Sequence, residues 1–285
     1  MRRLVIGAIL AAAAAAGGGC GGGDGDRDGR APALVHDAPL AHVHGVGATS
    51  DGTVYVATHE GLFAAPAGET TVERVGELEH DLMGFAVAGE RRFVASGHPD
   101  ARANLPPHLG LVESTDGGET WRSVSLLGRA DFHVLRVAGR RLYGFDGLEG
   151  RLMVSDDGGR SWSARRSTPA MFDLAIDPRD RDRLVAATDA GLYVSGSAGR
   201  RWRRANPRMA GLLAWPRGGR PLLVDARGGV HRGDASGRRW RQVGRLDGEP
   251  VALAAANGDL LAATTDGTVV ASADGGATWS VRASP

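Results

Sequence analysis

Ser114-Thr115-Asp116-Gly117-Gly118-Glu119-Thr120-Trp121 is the stretch that decides the fold of this chain. It reads Ser-x-Asp-x-Gly-x-x-Trp, and the pattern returns without a mismatch at Ser155 to Trp162 and at Ser272 to Trp279. Two worn copies lie between. Ser195 to Trp202 has Ser197 in place of the Asp, and Gly233 to Trp240 keeps Gly237 but has lost both Ser and Asp. The five tryptophans are 41, 40, 38 and 39 residues apart. A period of this length marks a repeat architecture in which each unit is one supersecondary element. The residue types suit a tight hairpin: Asp accepts backbone N–H bonds, Gly supplies positive φ, and Trp folds back on the sheet. The structural positions of the three intact copies are Ser114, Asp116, Gly118 and Trp121; Ser155, Asp157, Gly159 and Trp162; and Ser272, Asp274, Gly276 and Trp279.

These motifs resemble the Asp-box, or BNR, repeat of sialidases, sortilin-type receptors and photosystem assembly propellers. The resemblance covers nearly all of the chain after its leader. It implies a β-propeller in which the box is a folding device, carrying no catalytic residue in those families. Between boxes the sequence aligns as six units beginning near His42, Asp81, Asp131, Met171, Gly211 and Val251, about 41 residues each, a four-strand blade length. Each unit has an apolar first strand such as Met83-Gly84-Phe85 and a second such as Val54-Tyr55-Val56-Ala57. A third strand enters the box, and a fourth follows the Trp. The expected fold is all-β, a six-bladed propeller of four-stranded antiparallel blades with Asp-box hairpins. Seven blades would result if residues 31 to 41 added a strand.

In such blades the first strand starts and the second strand ends on one face of the disc. The first-strand openings are His42, Asp81 and Asp131, with His44, Met83, His133 and Asp173 two residues on. The second strands end at His59, His98, Asp146, Asp189, Asp225 and Asp266. Five of the nine histidines therefore map to one channel mouth, with the boxes on the opposite face. The long insertion Pro99 to His108 reaches over the same mouth as a candidate lid.

Three roles are open to this His/Asp ring. The histidines can tie neighbouring blades together through hydrogen bonds to acids. They can form a metal or small-ligand site, because imidazole suits Zn and Cu and carboxylate completes a mixed shell. The candidate ligands are His42, His44, His59, His98, His133 and Asp131, and the spacing of His42 and His44 places both on one face of a strand. The third role is glycoside hydrolysis, which the resemblance implies because relatives are often labelled glycosyl hydrolases. It requires a carboxylate pair across the scissile bond, for which Asp81, Asp131, Asp146 and Asp173 are available. The sialidase arginine cluster, Tyr nucleophile and Phe/Tyr-Arg-Ile-Pro signature are not found. Tyr55, Tyr143 and Tyr193 all sit inside strand-like runs. The function expected is an extracytoplasmic module binding a ligand, metal or partner, with a glycosyl hydrolase or an assembly scaffold as alternatives.

Composition agrees with short strands and tight turns: 44 Gly, and no stretch that reads as a long amphipathic helix. A net charge of +1 argues against nucleic acid as a partner. All 34 basic residues are Arg, spread over every segment but dense at Arg200, Arg201, Arg203, Arg204 and Arg208 and again at Arg238, Arg239 and Arg241. Such a rim suits either an ordinary solvated strand face or an anionic lipid or cell-wall polymer.

At the start, Arg2 and Arg3 precede an apolar run from Leu4 to Ala16, 13 residues where a membrane span needs about 20. The run has signal-peptide length and ends in Gly17-Gly18-Gly19-Cys20, which resembles the bacterial lipobox with Gly17 at its usual aliphatic position. Residues 1–19 are expected to be a signal peptide and Cys20, the only cysteine, the lipidation site. Residues 20–35 then form a flexible Gly/Asp tether and 36–285 the propeller. This predicts a monomer exported and lipid-anchored to the outer face of the bacterial cytoplasmic membrane, with a protein or glycan as possible partner.

Overall fold

The computed structural model describes Leu40 and residues 42–165 and 170–285. Residues 1–39, which include the expected signal peptide, Cys20 and the expected tether, lie outside the described residues. Blade 1 is β1 (Val43–Ala48), β2 (Val54–Thr58), β3 (Gly61–Ala65) and β4 (Glu73–Val75). Blade 2 is β5 (Asp81–Val87), β6 (Phe93–His98), β7 (Leu111–Ser114) and β8 (Arg122–Ser125), with a short 3-10 turn, η1 (Ala101–Ala103), in the β6–β7 insertion. Blade 3 is β9 (Phe132–Ala138), β10 (Arg141–Asp146), β11 (Arg151–Ser155) and β12 (Ser163–Ala164). Blade 4 is β13 (Met171–Asp177), β14 (Asp180–Thr188), β15 (Gly191–Ser195) and β16 (Arg203–Asn206). Blade 5 is β17 (Leu212–Ala214), β18 (Leu222–Val224), β19 (Gly229–Gly233) and β20 (Trp240–Arg245). Blade 6 is β21 (Pro250–Ala256), β22 (Asp259–Thr264), β23 (Val269–Ser272) and β24 (Ser280–Ala283).

Each blade is a four-stranded antiparallel sheet in sequence order. The first strands stand side by side around the axis, and β21 packs on β1, so the ring closes with six blades. Most of the segment that would have supplied a seventh, residues 31 to 41, is outside the described residues. Closure is fastened by blade 6. Arg282 donates to the carbonyls of Gly52, Ala65, Pro66 and Glu69 in blade 1, and Ser284 forms a parallel bridge with Thr71.

The apolar core is divided among the six seams between blades. Leu62 of blade 1 packs with Phe85 and Phe93 of blade 2, and Tyr143 and Leu152 of blade 3 pack with Leu174 and Leu184 of blade 4. Each such side chain contributes about 1.5–3 kcal/mol on burial, so the stability resides between blades. The boxes serve the same seams. In the box of blade 3, Ser155 Oγ donates to Asp157 Oδ1 at 2.8 Å and accepts from Gly159 N at 2.8 Å, while Asp157 caps Ser161 N at 2.9 Å. Gly159 has φ +90, and its Cα lies so close to Leu111 of the preceding blade that a Cβ would come within 2.0 Å of Leu111 Cδ2. Gly118 and Gly276 approach Leu62 and Val230 in the same way.

The box of blade 5, Gly233 to Trp240, which lacks both the Ser and the Asp of the pattern, is closed by a neighbour. Asp234 accepts from Ser236 Oγ at 2.7 Å and from Arg238 N at 3.2 Å, one residue later than the pattern places its Ser.

These turns make the fold sensitive to acid. The hydroxyl and amide donors of Thr120 and Ser114 hold the Asp116 carboxyl down to about 2, and the corresponding donors hold Asp157 and Asp274 well below the carboxylate range. Carboxyls depressed in the folded state add stability that is complete above about pH 4 and is lost as pH falls toward their folded values. Asp157→Ser, the exchange found naturally at Ser197 in the box of blade 4, is therefore expected to flatten the fall in stability between about pH 4 and pH 2. Urea unfolding at a series of pH values reads that slope.

Candidate functional site

The face on which the first strands begin, here the upper face, carries the polar mouth of the central channel. The opening of the first strand is bulged in five blades. Register skips His44 between Val43 and Gly45, Leu82 and Met83 between Asp81 and Gly84, His133 between Phe132 and Val134, Phe172 between Met171 and Asp173, and Val251 between Pro250 and Ala252. A bulge frees one residue from the ladder and re-aims its side chain. His44, Met83, His133, Phe172 and Val251 all line the channel, a cavity of about 400 Å³.

Two of these bulged residues meet the ends of second strands in blades 1 to 3. Asp81 is the hub. Its Oδ2 is 3.1 Å from His59 Nδ1 and 3.0 Å from His98 Nδ1, and its Oδ1 is 3.2 Å from His44 Nε2. The other nitrogen of His98 is 3.5 Å from Asp131 Oδ2, which His133 Nε2 reaches at 2.8 Å. Two carboxylates and four imidazoles thus form an arc, with His98 between the two acids.

Within the arc are two compact donor sets. His44, His59 and Asp81 each offer one atom, all within 4.8 Å of one another, and His98, His108 and Asp131 do the same. His108 Nδ1 and Asp131 Oδ1 are buried without a hydrogen-bond partner, and the buried His44 Nε2 and Asp81 Oδ1 face each other at 3.2 Å in poor alignment. Buried polar atoms are normally paired, because desolvation without a bond costs about 1–3 kcal/mol. The two sets bring together imidazole nitrogens and carboxylate oxygens, the atom types that ligate divalent cations.

His108 reaches the site through the β6–β7 insertion. His80 Nδ1 accepts from Asp100 N at 2.9 Å, and Asp100 in turn accepts from Arg102 N at 2.8 Å and ion-pairs with the Arg102 guanidinium. Leu109 N donates to Gly97 O at 2.8 Å. The segment expected to act as a lid is therefore pinned at both ends, and it sets the His108 ring 5.6 Å from that of His98.

The BNR/Asp-box repeat family matches residues 153–164, the box of blade 3. The chain is a six-bladed β-propeller that carries this repeat. Among solved structures it is similar to YCF48 bound to D1 peptide, at 18% identity and TM-score 0.55, over 85% of this chain and 81% of that one. It is similar to the GH74 xyloglucanase from Xanthomonas campestris, at 19% identity and TM-score 0.54, over 85% of this chain and 45% of that one. It therefore spans less than half the xyloglucanase's length. A nidogen/laminin complex matches at 12% identity and TM-score 0.60, over 77% of this chain and 88% of that one. At these identities the likeness shows the fold. Comparison with curated proteins gives no match.

The remaining positions of the expected ring lie elsewhere in the propeller. His42 precedes β1 with φ +54, so it does not share a strand face with His44; it is exposed, with its ring 6.2 Å from that of His59. Asp173 is not the blade-4 counterpart of His133. The bulge shifts that place to Phe172, and Asp173 is buried, ion-paired with Arg136 and accepting from Leu213 N at 2.6 Å in the next blade. Burial pushes its carboxyl up despite Arg136. Asp146 accepts from Asp131 N at 3.1 Å, Asp225 pairs with His231 at 2.8 Å, and Asp266 closes its own turn with Thr264 at 2.6 Å. Asp189 follows β14 as an exposed turn residue.

Charge balance in the arc favours ionised acids. Burial raises the Asp81 and Asp131 carboxyls, but hydrogen bonds and charges from the surrounding imidazoles outweigh it and leave both below the ordinary range. The Asp131 bond holds the His133 imidazole above its usual value, whereas burial drives His80 below it.

Proposed function

We propose that this Asp-box propeller binds a transition-metal cation, zinc or copper, at the His/Asp arc on its upper face. The observation that carries this reading is the convergence of imidazole and carboxylate atoms in the sets His44–His59–Asp81 and His98–His108–Asp131, where His108 Nδ1 and Asp131 Oδ1 are buried without a hydrogen-bond partner. Two imidazoles and one carboxylate leave at least one coordination position of a four-coordinate cation for a ligand entering from the mouth. His98 would couple the two sets: one nitrogen faces Asp131 while the other is hydrogen-bonded to Asp81, the carboxylate–imidazole arrangement that orients metal ligands.

A glycoside hydrolase would need two carboxyls facing each other across an open cleft. Asp81 and Asp131 instead have the His98 ring between them, each clasped by imidazoles, which favours binding over hydrolysis. The exposed Leu105, Leu148 and Phe172 on the same face suit an apolar portion of a ligand or protein partner above the cation. The lipobox-like Cys20 would hold this module at the outer face of the cytoplasmic membrane.

Metal analysis of the purified protein, followed by zinc and copper titration with thermal melting, tests the reading. At a cation concentration a hundred times Kd, binding should add about 2.7 kcal/mol, a rise in Tm of roughly 5–10 °C for a chain of this size. His44→Ala and His108→Ala should each lower the bound stoichiometry. Protein that carries no metal and gains no stability from either cation would contradict the proposal.

A further inference from the structure

Away from the channel mouth, the outer flank of blades 4 and 5 holds three adjoining cavities of about 630, 400 and 410 Å³. They form one groove. Arg183 and Ala235 line both the first and second, and Arg220 lines both the second and third. Among the described residues Arg201, Arg220, Arg232, Arg239 and Arg241, all lining it, have no carboxylate within 4.0 Å and donate no side-chain hydrogen bond. The acids of the groove are Asp177, Asp180 and Asp234, of which Asp177 faces Arg183 at 3.7 Å and Asp234 is committed to its own turn.

Arginine is common throughout this chain, so its number alone says little. Its placement says more. Arg232 on β19 stands directly opposite Arg241 on β20. Directly opposed residues of an antiparallel pair project from the same side of the sheet, and like charges there repel. The two share the third cavity with Arg220 and Arg239. Guanidinium groups gathered this way match oxyanions, to which each can donate two parallel bonds.

We propose that this groove binds an extended chain of phosphate groups, a linear polyphosphate-like polymer. The concave, elongated course favours a chain over a flat bilayer. The large exposed apolar residues, Leu105, Leu148, Phe172 and Val281, are not among its lining, so it lacks the apolar surface that would enter a membrane. Its aromatic residues, Trp202, Trp215 and Trp240, are packed into the blade seams, which leaves no free platform for stacking nucleobases.

The test is fluorescence anisotropy of the purified protein with labelled medium-chain polyphosphate over a range of NaCl concentrations. Affinity should fall steeply with salt. The Arg232→Gln/Arg241→Gln double variant should bind at least about tenfold more weakly, with a salt dependence shallower by about two counterions. Removing opposed charges should leave its melting temperature equal to or above wild type. Arg208→Gln/Arg227→Gln, the same charge change on the upper face, should bind within about twofold of wild type. Equal losses in both double variants would reduce the effect to diffuse charge and overturn the proposal. So would saturation by inorganic phosphate at similar affinity, or tighter binding to anionic phosphatidylglycerol vesicles or to a single-stranded oligonucleotide.

Discussion

Asp81→Ala is expected to weaken zinc or copper binding by roughly a hundredfold or more, the largest effect of any single change at the mouth. The carboxylate lies within 3.2 Å of nitrogens from His44, His59 and His98, which come from two blades. Removing it deletes the only oxygen donor of the first set and the acceptor that orients His98 for the second. Asp81→Asn separates charge from geometry. It keeps an acceptor oxygen and the side-chain volume but loses the negative charge, and its affinity should fall between those of wild type and Asp81→Ala. Isothermal titration at pH 7 measures all three. Unchanged affinity in Asp81→Ala would mean that the arc is a blade tie and not a cation site.

Gly159→Ala should destabilise the ring by about 2–4 kcal/mol in urea unfolding, from two separable causes. A non-glycine residue at φ +90 is strained, and the added methyl would sit 2.0 Å from Leu111 Cδ2 across the seam between blades 2 and 3. Gly139→Ala isolates the first cause. Gly139 has φ +65 with nothing within 4 Å of the Cβ position, so its replacement should cost only about 1–2 kcal/mol. If the two variants lose the same stability, the box does not act as a spacer between blades.

The repeat made the ring legible because its signal is local: Ser, Asp, Gly and Trp at fixed offsets close one turn and need no knowledge of the rest of the chain. The even spacing then fixed the number of blades. The mouth was harder to read. His44, His59, Asp81, His98, Asp131 and His133 follow from knowing which strand ends share a face, so their meeting could be anticipated. His108 could not be placed by aligning blades, because it lies on an insertion that the other blades lack. Its only sequence signal was a histidine closing the insertion that begins beside His98. Asp173 failed for a different reason. A one-residue bulge reverses which side a residue faces, and alternation alone does not reveal where the bulge falls. The equivalence therefore passed to Phe172, and Asp173 became a buried partner of Arg136.

The most direct test of the central claim is a crystal structure of the protein soaked with zinc or copper, with data collected at the metal's absorption edge. An anomalous peak is expected within bonding distance, about 2.0–2.1 Å, of a nitrogen of His44 or His59 and an oxygen of Asp81, or of the corresponding atoms of His98, His108 and Asp131. A structure with the metal absent from the arc, or bound only at scattered surface histidines, would contradict it.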